Sequence, residues 1–146
     1  MDNSIKIQIG CDHAGIELKM EVIKFLEEHG FTVKDFGTYT KDSMDYPDIA
    51  HPVSNAVLED ANSLGILICG SGNGVCLTAN KHKGIRAALC WLPELGSLAR
   101  QHNNANILCL PARFIDIETG KEIVTSYLNA SFEGGRHQNR VSKVDC

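Results

Sequence analysis

The 146-residue chain carries 18 acidic and 14 basic side chains, a formal net charge of −4 with histidine neutral. This balance argues against the broad positive field that proteins use to bind nucleic acid or anionic membranes. The N-terminal "MDNS" lacks the regions of a signal peptide, and no apolar run approaches the ~20 residues that span a bilayer. With 43% hydrophobic and 22% charged residues, we expect a cytoplasmic protein with one domain over residues 1–146.

The first half of the sequence predicts three pairs of a strand and a helix. The segments "KIQI" (6–9), "FTVKDF" (31–36) and "LGILIC" (64–69) have the apolar or alternating pattern of strands. Two apolar stripes at helical spacing separate them: Leu18, Val22, Phe25 and Leu26, then, after the loop "GTYTKDSMDYP", Ala50, Val53, Val57 and Ala61. Gly30 is a suitable C-cap for the first helix, and "GVCLTANKH" predicts the third.

The second half continues the alternation. The segments "IRAALC" (85–90) and "NILCL" (106–110) predict the fourth and fifth strands, with a helix from Pro93 to about Gln101 between them. Residues 116–130 predict a further helix. The chain then ends in a basic tail, residues 133–146, which Gly134 and Gly135 set off from the preceding helix.

Strands that alternate with helices throughout a chain predict an α/β fold, here a doubly wound five-stranded parallel sheet in a single domain. Ligands of such sheets bind beyond the carboxyl ends of the strands. The candidate ligand-binding segments are therefore Gly10–His13, Cys69–Gly74, Trp91–Pro93 and Leu110–Arg113.

The most distinctive of these segments is "CGSGNG". Its last five residues are nearly free of side chains: Gly70, Ser71, Gly72, Asn73 and Gly74. The backbone N–H groups of such a loop can point into one concavity and hold a phosphate or a developing oxyanion. A tight turn is the simpler explanation, but it needs one or two glycines rather than three in five. The dinucleotide fingerprint is absent, because Val75 stands where GxGxxG read from Gly70 has its last glycine, and so is the P-loop GK[ST].

Cys69 stands at the entrance to this loop. A thiol beside backbone N–H groups at the start of a helix can lose its proton and act as a base or a nucleophile. A cysteine phosphatase would need an arginine six positions later, where the chain has Val75. A hydrolase with a cysteine–histidine pair and a base that abstracts a proton both remain open.

Polar residues that could bind a ligand occur in three other motifs. Asp12 and His13 of "GCDHAG" follow the first strand, and a helix N-cap explains Asp12 but not His13. His102 and Asn103 of "RQHNNAN" are weak signals, because a helix end explains both of them. In "GGRHQNR", two arginines four residues apart would share one face of a helix and suit a phosphate: Arg136 and Arg140. The six cysteines show no CxxC and the histidines no HExxH, so we expect no metal site.

Taken together, these motifs resemble the type B ribose-5-phosphate isomerases, which share a superfamily with the galactose-6-phosphate isomerases. The segments "GCDHAG", "DYP", "ILICGSGNG", "ANK", "GIRA", "RQHNNANIL" and "EGGRHQNRV" occur in the expected order along nearly the whole chain. The resemblance implies a Rossmann-like sheet and no metal or organic cofactor. It also implies a homodimer, or a dimer of dimers, with the active site at the interface.

The resemblance also implies roles for particular residues. Cys69 resembles the base that moves a proton between C1 and C2, and His102 the acid that helps to open the furanose ring. The loop 70–74 resembles the anion hole for the enediolate. The remaining positions resemble ligands of the sugar and its phosphate: Asp12, His13, Tyr46, Asn103, Arg113, Arg136 and Arg140. A branch without the cysteine places a glutamate directly after "GSGNG", where this chain has Val75.

Two kinds of alternative remain open from the sequence. Within the same chemistry, the substrate could be allose 6-phosphate or galactose 6-phosphate instead of ribose 5-phosphate. Outside it, a module that senses a phosphate or a nucleotide could use the same fold without catalysis. Such a sensor would not need both Cys69 and His102.

Overall fold

Five parallel strands form the central sheet of the computed structural model, which covers residues 1–146. The strands are β1 (Lys6–Cys11), β2 (Val33–Asp35), β3 (Ser63–Cys69), β4 (Ala87–Leu89) and β5 (Ile107–Pro111). Their order across the sheet is β2-β1-β3-β5-β4, with every neighbouring pair parallel. All seven residues of the central β3 are buried, which explains its continuous apolar sequence.

Helices cover both faces of this sheet. They are α1 (Ile16–Glu28), α2 (Pro47–Glu59), α3 (Asn73–Ala79), α4 (Pro93–Asn103), α5 (Ile117–Asn129) and α6 (Arg136–Val141). The apolar faces of α1, α4 and α5 pack together with Ile7 and Ile9 of β1 on one side. On the other side, α2 and α3 pack over Leu67 and Cys69 of β3. The predicted Rossmann-like, doubly wound parallel sheet in a single domain is therefore confirmed.

The predicted elements differ from the observed ones mainly at their ends. The edge strands β2 and β4 have only three residues each. Ala61 lies beyond the end of α2 and is exposed, so its assignment to the apolar stripe was wrong. Gly30 follows α1 with φ +84°, a left-handed conformation that glycine adopts readily. No helix has the combination of length and apolar character required to cross a membrane.

An ion pair between a buried lysine and a partly exposed aspartate fixes the loop that follows β2. Lys19 on α1 is fully buried, and its Nζ lies 2.7 Å from Oδ1 of Asp35 and 2.8 Å from the carbonyl oxygen of Thr38. Burial of a charged group is costly unless it is paired and hydrogen-bonded, and here both conditions are met. The pair thus anchors the start of the segment that leads to Tyr46 at the carboxyl edge of the sheet.

Candidate active site

Cys69 is the last residue of β3 and lies at the carboxyl edge of the sheet, where the chain turns into α3. Its side chain is buried, and its Sγ accepts a hydrogen bond from the backbone N–H of Gly72 at 3.1 Å. The backbone N–H groups of Gly70 and Ser71 donate to no acceptor within the chain. A thiol and unpaired N–H donors are therefore adjacent at the end of the central strand.

Two glycines of this loop are required by close packing. Gly72 has φ +75°, and a Cβ there would collide with the Leu89 side chain and lie 3.3 Å from the backbone of Leu110. A Cβ on Gly74 would lie 2.6 Å from the ring of Tyr46. The glycines allow the loop to pass beneath Tyr46 while its backbone stays close to β5. Close packing, and not only an exposed N–H surface, thus accounts for the glycine content.

We expect Gly72→Ala to lower the free energy of unfolding by about 3 kcal/mol. The left-handed conformation costs an alanine roughly 1–2 kcal/mol, and forcing a methyl group into a packed site costs about 1–3 kcal/mol. For a chain of this size, the melting temperature should fall by roughly 6–12 °C. Gly134→Ala is the control, because Gly134 has φ +67° but no atom within 4 Å of its added Cβ. Equal melting temperatures for the two variants would contradict the packing argument.

Four further predicted site residues lie near Cys69 at the same edge. The guanidinium group of Arg113 lies against Gly70, with Nη1 3.1 Å from the position of an added Cβ, and the Arg113 N–H donates to the Gly70 carbonyl. Tyr46 covers Gly74 from the start of α2. The other two, Asp12 and His13, follow β1, which pairs with β3.

The Asp12–His13 loop is held in place by hydrogen bonds. The nearly buried Asp12 accepts from the N–H of Ala14 through Oδ1, so it orders the turn before α1, whose N-cap is Gly15. His13 accepts from the N–H of Met44 through Nδ1 at 3.3 Å. This acceptor role places the proton of a neutral His13 ring on Nε2. His13 therefore has an N–H donor left for a ligand.

The remaining predicted residues lie at the opposite, amino edge of the sheet. His102 and Asn103 form the end of α4, and the carbonyl of Asn103 accepts a hydrogen bond from Nε of Arg86, directly before β4. Asn104 in the left-handed conformation, and not Asn103, is the C-cap. The short helix α6 carries the exposed Arg136 and Arg140, and α6 packs against α4.

The length of β3 separates the two groups of residues within one chain. Asn106, close after α4, accepts a hydrogen bond from the N–H of Gly65 through its carbonyl oxygen. Gly65 precedes Cys69 by four strand residues, which corresponds to about 13 Å. His102 and the arginines of α6 therefore cannot meet Cys69 of the same chain. The candidate active site is split into a thiol half at the carboxyl edge and a basic half at the amino edge.

The basic half contains two further residues that were not among the predicted site residues, Glu133 and His137. The rings of His102 and His137 stack with centroids 4.2 Å apart at an angle of 9°. Oε1 of Glu133 lies 3.8 Å from Nε2 of both histidines. Burial lowers the pKa of His137, and the adjacent His102 and Arg136 lower it further. His137 belongs to the motif "GGRHQNR", so the sequence could have indicated it. The contact of Glu133 with both rings could not be predicted, because it depends on how the tail folds back.

Comparisons with known proteins identify the family of the chain. A sequence model of the family described as "Ribose/Galactose Isomerase" matches residues 7–144. The chain belongs to the ribose/galactose isomerase family. A probable ribose-5-phosphate isomerase B of Mycoplasma pneumoniae is 50% identical over 94% of this chain and 91% of its own length.

Two solved structures of the family have the same fold as this chain. A ribose 5-phosphate isomerase of Thermotoga maritima is 48% identical with a TM-score of 0.94, over 97% of both chains. A ribose-5-phosphate isomerase B of Mycoplasma genitalium, solved with bound ribulose-5-phosphate, is 46% identical with a TM-score of 0.93, over 97% of this chain and 94% of its own. The predicted resemblance to type B ribose-5-phosphate isomerases is confirmed, and so is the prediction of an enzyme.

Three other cysteines of this isomerase are buried: Cys11, Cys90 and Cys109. Burial raises the pKa of Cys11 to about 11 and that of Cys90 to about 12, and it raises that of Cys109 well above its usual value. A hydrogen bond with Cys109 lowers the pKa of Cys76, which lies on α3. Cys11, Cys90 and Cys109 are therefore protonated at neutral pH and act as small apolar side chains.

Proposed function

We propose that this isomerase interconverts ribose 5-phosphate and ribulose 5-phosphate through an enediolate, with Cys69 as the base. The observation that carries the proposal is the position of the Cys69 thiol beside the N–H groups of the glycine loop. The Mycoplasma genitalium relative, which binds ribulose-5-phosphate, supports this choice of substrate.

The reaction divides into ring opening and proton transfer. His102 donates a proton to the ring oxygen as the bond between that oxygen and C1 breaks, and the C1 hydroxyl gives its proton to a solvent water to leave an aldehyde. The Cys69 thiolate then removes the proton from C2, and the electron pair moves to O1 to form the enediolate. N–H groups of Gly70 and Ser71 stabilise this charge. The proton returns to C1, the O2 proton passes to O1, and the ketose is complete.

The remaining predicted site residues bind the substrate. Asp12, His13, Tyr46 and Asn103 bind the sugar, and Arg113 adds a positive charge beside the glycine loop. The basic tail, residues 133–146, supplies Arg136 and Arg140 to the phosphate. Binding energy from the distant phosphate holds C1 and C2 against the thiol, so part of it appears in kcat.

A second copy of the chain completes the site in this proposal. The thiol half and the basic half lie at opposite edges of one sheet, so each site takes one half from each chain of a homodimer, or of a dimer of dimers. The carboxyl edge also exposes an apolar surface for contact. The residues that line a cavity of about 500 Å³ there include Ser71, Asn73 and the exposed Trp91, Leu92 and Phe114. A cytoplasmic location fits this chemistry, because a reducing compartment keeps the Cys69 thiol free.

The direct test is an isomerisation assay that compares ribose 5-phosphate, allose 6-phosphate and galactose 6-phosphate under identical conditions. We expect the highest kcat/KM with ribose 5-phosphate. A preference for either hexose phosphate would assign a different substrate to the same chemistry. Specific binding of the sugars without turnover would instead support a sensor.

Arg136→Ala and Arg140→Ala should each raise KM for ribose 5-phosphate by roughly ten- to a hundredfold. A hydrogen bond to a charged group contributes about 1.5–3 kcal/mol, and both guanidinium groups address one phosphate dianion. For the same reason, the double variant should lose less than the sum of the two. Lys143→Ala, in the same tail but beyond α6, is the control and should change KM little. Steady-state kinetics with inorganic phosphate as competitor measure the effect, and an unchanged phosphate inhibition constant in both variants would contradict it.

A further inference from the structure

The cluster of His102, Glu133 and His137 has the composition of a transition-metal site. One ring nitrogen of each histidine and a carboxylate oxygen of Glu133 all lie within 4.8 Å of one another. Two imidazoles and one carboxylate are a ligand set that zinc uses in proteins, with the fourth position left to water or substrate. The cluster therefore offers three ligands and an open position.

The spacing of these atoms is close to that of a coordinated ion. Ligands about 2.1 Å from a tetrahedral zinc ion lie ~3.4 Å apart. Oε1 of Glu133 lies 3.8 Å from Nε2 of each histidine, so binding of an ion requires each of these distances to shorten by a few tenths of an ångström. The parallel rings must also turn toward each other. His102 and Glu133 are both partly exposed, with side-chain exposures of 39% and 49%, so they are free to make this adjustment.

The backbone already holds the three ligands together. The N–H of Glu133 donates to the carbonyl of Gln101 at 3.0 Å, which fixes the start of the tail to the last turn of α4. His137 is nearly buried beneath the ring of His102. The positive charges of Arg136 and Arg140 on the same helix oppose a cation, so affinity must come from the coordination bonds. This favours zinc and similar metals, which bind imidazole strongly, over magnesium or calcium.

We propose that zinc, or a similar divalent transition metal, binds His102, Glu133 and His137 and thereby inhibits the enzyme. The bound ion occupies Nε2 of His102, the atom that would otherwise carry the proton for ring opening. The inhibitory part of this inference depends on the role of His102 in the proposed function. The binding part does not, because it depends only on the three side chains.

Three measurements test the proposal on the full-length chain with Cys146→Ser, which removes an exposed thiol that would also bind metal. Calorimetric titration with zinc should give one site per chain, and Glu133→Gln and His137→Gln should each weaken it at least tenfold. Cobalt in place of zinc should give a visible spectrum without a thiolate charge-transfer band. Turnover of ribose 5-phosphate should fall on addition of zinc and recover with EDTA. The zinc concentration for half inhibition should rise at least tenfold in both variants, each compared with its own metal-free activity.

His82→Gln is the matched control, because His51 and His82 form a second histidine pair, with Nδ1 and Nε2 2.7 Å apart. This variant should keep both the affinity and the inhibition of the parent. Unchanged zinc affinity in Glu133→Gln, whose side chain is half exposed, would overturn the site. Zinc bound at this site without loss of turnover would overturn the inhibition. A chain that binds zinc here but isomerises no sugar would refute the proposed function while leaving the metal site intact.

Discussion

Replacing Cys69 by alanine should lower kcat/KM for ribose 5-phosphate by ~10²–10⁴-fold, the usual contribution of a positioned general base. The side chain lies at the end of β3, and its sulfur accepts a hydrogen bond from the loop that would hold the enediolate. Deletion of the sulfur removes the group that takes the proton from C2. It leaves Arg113 and the N–H groups of the loop in place, so substrate binding should persist. Turnover assays and calorimetric binding of ribose 5-phosphate measure the two effects separately.

Cys109→Ala is the matched control for this variant. Cys109 is fully buried on β5, and it packs with Cys69 in the same apolar cluster. Both substitutions remove one buried sulfur atom, so both should reduce the melting temperature by a similar small amount. Only the Cys69 variant should lose turnover. Near-normal activity of Cys69→Ala, or an equal loss in the two variants, would eliminate Cys69 as the base.

The elements and the thiol half of the site could be predicted because their signals are local. Continuous apolar strands such as "LGILIC" differ from helices with an apolar stripe, and the glycines mark where the chain turns at the end of β3. Parallel strands share one carboxyl edge, so Asp12, Cys69 and Arg113 could be assigned to the same region from their positions at or just beyond the ends of β1, β3 and β5. No contact between distant residues is needed for these inferences.

The ion pair of Lys19 with Asp35 and the basic half could not be predicted because they depend on contacts between distant segments. In sequence, Lys19 stands on a helix like any exposed lysine, and only the packing of α1 against β2 brings it to Asp35. Glu133 precedes the two glycines of the tail, and its contact with His102 requires α6 to fold back on α4. The resemblance implied an active site at an interface between chains. Within one chain, the direction of α4 separates His102 from Cys69, because α4 runs antiparallel to the strands and therefore ends at their amino edge.

Mixing two inactive variants should restore activity if the site is built from two chains. Cys69→Ala chains keep an intact basic half, and His102→Asn chains keep an intact thiol half. In a twofold-symmetric dimer, each chain gives its thiol half to one site and its basic half to the other. A mixed dimer therefore has one site with both halves intact and one with neither. Random exchange of equal amounts makes half of the dimers mixed, so activity should recover to about a quarter of the wild-type value.

The control for this experiment is a chain that carries Cys69→Ala and His102→Asn together, mixed with wild-type chains. If the site is shared, the mixed dimers have no site with both halves intact. Only the dimers of two wild-type chains are then active, so activity should fall to about a quarter of that of the same number of wild-type dimers. If each chain built its own site, the same mixture would keep about half of that activity, and the two single variants would not complement each other. Native mass spectrometry with one variant isotopically labelled verifies that the subunits have exchanged. Exchange without recovery of turnover would mean that His102 does not act on the substrate bound at the partner's Cys69. The division of the site between two edges of the sheet would then have no catalytic role.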